Sequence, residues 1–80
     1  MAEATADVRV LIEKIAKWMV DAPDQVFVEQ FDDDVIELEV AEGDVGKIIG
    51  RQGRNVRALR TLLNAAGTHV RKRYTLEVID

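Results

Sequence analysis

The sequence contains neither cysteine nor serine. Without cysteine there is no disulfide and no thiolate metal ligand, and with serine also absent the two commonest catalytic nucleophiles are missing. The absence of disulfides is typical of the reducing cytoplasm, which is the location we expect. No apolar run approaches the roughly 20 residues that span a bilayer, and residues 1–7 lack the basic and apolar regions of a signal peptide, so we expect no membrane insertion.

Aromatic side chains are scarce as well, since the 80 residues include one Trp, one Tyr and two Phe. So few aromatics do not support a base-stacking platform of the kind found in OB and RRM domains. Trp18 lies near the edge of an apolar stripe. We predict that it packs in the core or at its rim, with base stacking as the alternative.

Apolar residues in the first half follow first a helical and then a strand periodicity. From Val8 to Met19 they recur with the spacing of one helical face, and Pro23 marks where that helix has ended. Segments 25–31 and 35–40 have strand character and are separated by three consecutive aspartates. Such close spacing favours an antiparallel hairpin with one buried face and one wet, acidic face.

The second half has a short helical segment at 45–49, a glycine-containing loop at 50–53 and a longer helical pattern. Gly67 is placed to end that helix, and segment 74–79 alternates as a last strand. The helical crossover favours a parallel pairing of the last two strands, with the second strand central. We predict one α+β domain over residues 1–80, with three helices packed on a three-stranded mixed sheet and residues 1–7 loose. The long helix presents a shared apolar face formed by Val56, Leu59, Leu62, Leu63 and Ala66.

Charge is distributed very unevenly along the chain. The formal net charge of −4 argues at first against a polyanionic partner. However, residues 1–44 carry 3 basic and 13 acidic side chains, whereas residues 45–80 carry 8 basic and 2 acidic ones. Such an asymmetry between halves indicates contact with a nucleic acid or a membrane through the basic part.

The loop Gly50-Arg51-Gln52-Gly53 opens the long helix. Free backbone N–H groups and the positive end of the helix dipole make such a helix start an anion site, and Arg54 and Arg57 follow directly. Gly-x-x-Gly is also a short and common string, so a plain corner between two helices with solvated arginines is the alternative. The spacing of a P-loop is absent, so we expect no nucleotide hydrolysis.

Segment 45–60, Val-Gly-Lys-Ile-Ile-Gly-Arg-Gln-Gly-Arg-Asn-Val-Arg-Ala-Leu-Arg, resembles the signature of the KH domain. In that signature paired aliphatics precede a Gly-x-x-Gly loop, and an aliphatic follows at the third position of the next helix. The helix and strand placed before this core resemble the type II arrangement. The size of the chain and the sequence Arg-Gln-Gly-Arg at the loop resemble the small bacterial single-KH proteins of the KhpA family. The resemblance covers roughly residues 8–80.

The resemblance implies a grip on about four nucleotides of single-stranded RNA. Gly50 and Gly53 would allow close approach of the RNA backbone, and Arg51 and Gln52 would face the phosphates. Aliphatics around the loop would partly line a groove for bases, opposite the last strand and the preceding loop at 68–73. The implied RNA-binding residues are Lys47, Ile48, Ile49, Gly50, Arg51, Gln52, Gly53, Arg54, Val56, Arg57, Arg71, Lys72 and Arg73.

The function expected from this resemblance is non-enzymatic RNA binding, as an RNA chaperone or post-transcriptional regulator. The alternative is a protein-interaction module that forms a homodimer, or a heterodimer with a larger KH-containing protein of the KhpB/Jag type. We expect no cofactor and no metal. His69 has no partner ligand, and the Asp32-Asp33-Asp34 turn lacks the glycine and the distal glutamate of a calcium loop.

Overall fold

The structure, a computed structural model, describes residues 7–79. Helix α1 runs from Val8 to Met19 and buries Val8, Ile12 and Ala16. Its N-cap residue is Asp7, whose carboxylate accepts a hydrogen bond from the Arg9 N–H at 3.1 Å. Asp7 is therefore a helix cap and not part of a loose terminus. The rest of that predicted loose segment lies outside the described residues.

Strands β1 (Phe27–Phe31) and β2 (Val35–Glu39) form the predicted antiparallel hairpin. Asp32 and Asp33 in the connecting turn have positive φ values of 52° and 68°, as the primed turns of tight hairpins require. Strand β1 begins two residues later than predicted, because residues Pro23–Gln25 form a 3₁₀ turn. Proline suits the first position of such a turn, since it has no N–H to leave unpaired.

The second half contains the short helix α2 (Val45–Ile49), the long helix α3 (Arg54–Val70) and strand β3 (Thr75–Ile79). Strand β3 pairs in parallel with β2, and the strand order is β1-β2-β3. The α+β class, the element order, the mixed sheet and the central position of β2 are thereby confirmed.

The core lies between one sheet face and the three helices. Leu59 and Leu63 of the predicted α3 face are buried, but Leu62 is 45% exposed. Leu62 occupies the edge of that face, about 100° around the helix axis from its buried centre. The fully buried large side chains are Ile12, Ile36, Leu38, Ile48, Leu63 and Leu76.

Gly67 does not end helix α3, contrary to the prediction. It is a buried residue inside the helix, which continues to Val70 and is capped by Arg71 in the left-handed conformation, with φ 60°. Its carbonyl accepts the Lys72 N–H at 2.7 Å, and a Cβ at this position would overlap the Lys72 carbonyl oxygen. Gly67 is thus required by the close return of the chain and not by helix termination.

Trp18 does not pack in the core or at its rim, because 91% of the residue is exposed. On helix α1 it lies about 120° around the axis from the centre of the buried stripe formed by Val8, Ile12 and Ala16. No part of the described chain covers it.

The face of the sheet turned away from the helices, here named the outer sheet face, is uncovered. Strand register aligns Glu29, Glu37 and Glu77 in one row across the three strands. Phe27 and Phe31 of β1 lie on the same face and are 56% and 43% exposed. The predicted acidic face of the hairpin therefore also carries exposed apolar groups. Its members are Phe27, Glu29, Phe31, Val35, Glu37, Glu39, Thr75, Glu77 and Ile79.

Candidate nucleic-acid interface

The glycine loop, residues 50–53, joins α2 to α3 through a tight backbone turn. Three of its four residues have positive φ: Gly50 at 77°, Gln52 at 57° and Gly53 at 75°. The Gly50 N–H donates to the Gly46 carbonyl at 2.8 Å, and the Gly53 N–H donates to the Gly50 carbonyl at 3.0 Å. The loop is therefore held by its own backbone, which leaves its side chains available to a ligand.

Gly50 has no room for a side chain. Its φ of 77° and ψ of 168° belong to a region that is essentially restricted to glycine. A Cβ there would lie 2.6 Å from Asn55 Cγ and 2.8 Å from the Asn55 backbone nitrogen. Asn55 Nδ2 donates to the Lys47 carbonyl at 2.8 Å, so this side chain ties the end of α2 to the start of α3. Asn55 is a loop-supporting residue that the sequence analysis missed.

The polar side chains around the loop divide into supports and free groups. Arg57 Nη1 donates to the Gln52 carbonyl at 3.0 Å, so the predicted contact residue Arg57 also braces the loop. Arg51, Gln52 and Arg54 are exposed. These three side chains, together with the start of α3, form the part of the loop that can meet an anion.

Lys47, predicted to bind RNA, is held by two carboxylates. Its Nζ lies 3.2 Å from Asp21 Oδ2 and 3.5 Å from Asp44 Oδ1, and the hydrogen bond to Asp21 is the main reason that the pKa of Lys47 is raised. Asp44 is only 4% exposed and accepts the N–H groups of Asp21 (3.3 Å) and Ala22 (3.0 Å). The end of α1 is therefore fastened to the start of α2.

The carboxylate of Asp44 predicts a pH-dependent contribution to stability. Burial alone would raise the pKa of Asp44, but the N–H groups of Asp21 and Ala22, with Lys47, outweigh it and lower that pKa. The stabilisation from this carboxylate is therefore complete when the pH is above the pKa that Asp44 has in the unfolded chain, about 3.9. It is lost as the pH falls through the lower pKa that Asp44 has in the folded protein. Asp44→Asn should destabilise the protein at pH 7, by an amount that shrinks below about pH 4.

Urea unfolding of both proteins between pH 7 and pH 3 measures this difference. Asp24→Asn, which changes an exposed carboxylate in the neighbouring 3₁₀ turn, is the control and should leave stability unchanged. A destabilisation by Asp44→Asn that stays constant to the acid end of the range would contradict the assignment.

Two of the aliphatics predicted to line a groove offer no surface for a base. Ile48 is fully buried and Val56 is 6% exposed, because both side chains pack into the core beneath the loop. Ile49 is half-buried and remains accessible in part. Ile48 and Val56 therefore support the loop from below.

A cleft lies between α3 and the free edge of the sheet. The Thr75 N–H donates to the Asp34 carbonyl just before β2, so the backbone groups of Thr75 face β2. Because successive residues of a strand direct their N–H and C=O groups to opposite sides, those of Leu76 and Val78 face the free edge of the sheet. Arg60 Nη2 donates to the Leu76 carbonyl at 3.4 Å across this cleft. The cleft has a volume of about 580 Å³ and is lined by Arg60, Asn64, Thr68, Lys72, Arg73, Tyr74, Thr75 and Leu76.

The cleft brings predicted and unpredicted residues together. Lys72 and Arg73 were predicted and line it, whereas Arg71 caps α3. The loop before β3 is shorter than predicted, since residues 68–70 belong to α3. Arg60 was left out of the predicted site, although the spacing of Arg54, Arg57 and Arg60 along one helix is the signal that could have included it.

No carboxylate of residues 7–79 neutralises the positive charge of this surface. Within residues 7–79, ion pairs engage Arg9, Lys17 and Lys47 only. For the other seven cations of the second half, no carboxylate of residues 7–79 lies within 4.0 Å of the charged group. Uncompensated cations around a loop and a cleft of one helix produce a positive field that attracts polyanions. These cations are Arg51, Arg54, Arg57, Arg60, Arg71, Lys72 and Arg73.

A helix and a hairpin, followed by two helices flanking a Gly-x-x-Gly loop and a parallel third strand, define a type II KH domain. A family model described as "KhpA/KhpB, KH domain" matches residues 9–78. The chain belongs to this family.

Curated relatives support the family over most of the chain. The RNA-binding protein KhpA of Halalkalibacterium halodurans is 45% identical over 75 residues, which are 90% of this chain and 99% of the relative. The protein of that name from Borreliella burgdorferi is 47% identical over 73 residues, 88% of this chain and 89% of the relative. The one from Aquifex aeolicus is 44% identical over 73 residues, which are 88% of this chain and 92% of the relative. No solved structure matches the chain.

Two further observations concern the described residues alone. Among residues 7–79, no helix is long and apolar enough to cross a membrane. In the same part of the chain, no three or more His, Cys, Asp or Glu side chains are grouped so as to hold a metal ion.

Proposed function

We propose that this chain is a non-enzymatic, cytoplasmic RNA-binding protein, a single KH domain whose glycine loop grips about four nucleotides of single-stranded RNA. The observation that carries the proposal is that the glycine loop at the start of α3 and the cleft farther along the same helix are both edged by cations without a carboxylate partner in residues 7–79. The relatives described above bear the name of an RNA-binding protein. The sequence supplies neither Cys nor Ser as a nucleophile.

At the loop, the glycines allow the RNA backbone to be bound closely. Gly53 presents backbone without a Cβ, so a phosphate can approach it more closely than any other residue type, whereas the missing Cβ of Gly50 makes room for Asn55 and so permits the tight turn. The 17-residue helix α3 directs its positive end at the same place. Arg51 and Arg54 add full charges beside it, and Arg51 can bind a phosphate through two N–H groups.

Along the cleft, cations and a free strand edge would hold the rest of the RNA. From Arg54 to Thr68 helix α3 rises about 21 Å, a length suited to a short extended strand. Arg60, Lys72 and Arg73 would contact phosphates. The outward backbone groups of Val78 and the N–H of Leu76 would read the edges of unstacked bases, which a duplex does not expose.

The decisive test replaces both central residues of the loop. Arg51→Asp/Gln52→Asp is expected to weaken RNA binding about 10-fold to 100-fold, because it removes one phosphate contact and places two carboxylates against the RNA backbone. Gel-shift titrations with a uridine decamer over a series of salt concentrations measure the effect. The slope of log affinity against log salt should become shallower by about 0.7, the amount expected for one phosphate contact on a single strand.

The control makes the same chemical changes elsewhere. Arg9→Asp/Gln25→Asp alters two exposed residues of α1 and the first 3₁₀ turn, changes the net charge equally, and should retain most of the RNA affinity. Circular dichroism should show that both variants are folded. A folded loop variant that binds RNA as well as the parent would refute the proposed site.

In the cell, the same grip would serve an RNA chaperone or a post-transcriptional regulator. A site for about four nucleotides, dominated by phosphate contacts, binds many sequences weakly and in a salt-dependent way. Crosslinking RNA to the protein in cells would identify the bound transcripts. Crosslinks should concentrate at residues 50–57 and in the cleft.

A second candidate function is supported by the outer sheet face. Glu29, Glu37 and Glu77 lie directly opposite one another, an arrangement that destabilises an isolated sheet, and exposed Phe27 and Phe31 flank them. We propose that the cationic surface of a second copy, formed by its glycine loop and cleft, docks here by charge complementarity, with a larger KH-containing protein of the KhpB/Jag type as the competing occupant. Because this contact joins two different surfaces, light scattering should show a mass above that of one chain that rises with protein concentration for the parent, and a monomer for Glu37→Lys. A parent that is monomeric at high protein concentration would exclude the second copy.

A further inference from the structure

Trp18 has no structural role in the described chain. At 91% exposure it contributes almost no buried area, although tryptophan is among the largest apolar side chains. The apolar stripe of its helix is buried at Val8, Ile12 and Ala16. An exposed tryptophan on an otherwise well-packed helix points to a ligand or partner.

The surroundings of Trp18 favour an anion-bearing ligand. Lys14 lies one helical turn before it on the same side and is exposed. Of the three basic residues of helix α1, Arg9 pairs with Asp7 at 3.3 Å and Lys17 with Glu13 at 2.9 Å, so Lys14 is the one without a carboxylate partner in residues 7–79. A protein-binding hot spot is usually ringed by contacts that exclude water, and these charged neighbours form no such ring. A lone aromatic beside lysines is instead suited to stacking on a base.

The position of Trp18 connects it to the glycine loop. Asp21 is three residues further along, at most about 11 Å away in Cα positions. Its carboxylate contacts Lys47 Nζ at 3.2 Å, and Lys47 lies one turn before Gly50. The end of α1 thus touches α2, whereas the cleft lies between α3 and β3. The glycine loop, which joins α2 to α3, therefore lies in sequence between the helix that the end of α1 contacts and the helix that borders the cleft.

From these observations we propose that Trp18 is an additional RNA contact, which stacks on a base of the strand that extends past the glycine loop, away from the cleft, with Lys14 at the adjacent phosphate. The proposal rests on the function proposed above and extends the bound RNA beyond the nucleotides held at the loop. A strand of about four nucleotides would leave Trp18 free. A longer strand would cover it.

The single tryptophan of the chain is its own probe. Binding of a uridine decamer should quench Trp18 fluorescence, whereas a uridine tetramer should bind with little quenching. Trp18→Ala should weaken binding of the decamer roughly tenfold and leave binding of the tetramer unchanged, as expected for the loss of one base–aromatic stack. Trp18→Phe should retain most of the decamer affinity. Val10→Ala, at another exposed apolar residue of α1, is the matched control and should change neither.

The outcomes separate this inference from the function on which it rests. Suppose that the decamer binds to the parent without quenching its fluorescence, and that Trp18→Ala binds the decamer equally well. Trp18 then makes no RNA contact, while the RNA-binding function stands. If the parent binds neither RNA, both proposals fail. If Trp18 fluorescence changes with protein concentration alone, the residue is a protein contact and the inference is overturned.

Discussion

Gly67→Ala is expected to destabilise the protein by about 2 kcal/mol, although the same change inside an ordinary helix stabilises it by about 1 kcal/mol. The new methyl group would overlap the Lys72 carbonyl oxygen and lie 3.2 Å from Tyr74 Cδ2. Relief of that overlap requires the backbone of residues 72–74 to move, and these residues lead directly into β3. Urea unfolding measures the effect, and the melting temperature should fall by roughly 10 °C.

A control on the same helix shows that the sign comes from packing and not from propensity. Ala65 is exposed on α3, so Ala65→Gly should destabilise by about 1 kcal/mol, the normal cost of glycine in a helix. Gly67→Ala and Ala65→Gly should therefore both destabilise, although they are opposite exchanges. A stabilising Gly67→Ala would show that the chain after α3 does not return over this residue.

Gly50→Ala is expected to destabilise by about 3 kcal/mol and to abolish the RNA grip at the loop. The φ of 77° with ψ of 168° costs a residue with a side chain about 1–3 kcal/mol. The added Cβ would also collide with Asn55 at 2.6 Å. The collision would displace the Asn55 side chain from the Lys47 carbonyl and loosen the joint between α2 and α3.

The two causes can be separated by a double-variant cycle. Gly50→Ala combined with Asn55→Ala removes part of the collision but keeps the backbone strain, so the two changes should be less than additive. Gly46→Ala is the control, because a Cβ there meets nothing within 4 Å and lies in a helix, where alanine is favoured. It should stabilise the protein slightly. Equal losses for Gly46→Ala and Gly50→Ala would contradict this account of the loop.

Much of the fold could be predicted from local patterns. The alternation of apolar residues in β2 identified its buried face, with Ile36 and Leu38 fully buried. The helical spacing of Val8 to Met19 matched α1 at both ends. Such patterns are reliable because each element must bury one face of known periodicity. The Gly-x-x-Gly loop was recognised in the same way, since its residue types reflect local backbone geometry.

The errors concern residues whose environment is made by segments distant along the chain. Leu62 and Trp18 have the residue type of core positions, but the elements that could cover them pack elsewhere. Ile48 lies next to the glycine loop in sequence, yet its side chain turns into the core. Gly67 has the residue type of a helix end, but it is needed for the approach of Lys72.

The sequence by itself determined the class of fold, the order of its elements and the glycine loop, because these depend on periodicity and on the backbone preferences of single residues. The absence of cysteine and serine excluded the two commonest catalytic nucleophiles, and the shortage of aromatics argued against an aromatic base-stacking platform. Only the tertiary structure decided that Lys47 has carboxylate partners, since it meets Asp21 through a contact between the end of α1 and α2. It also decided that Arg60, Lys72 and Arg73 share one cleft and that Trp18 stands outside the core, because a side chain's partners depend on which elements pack together.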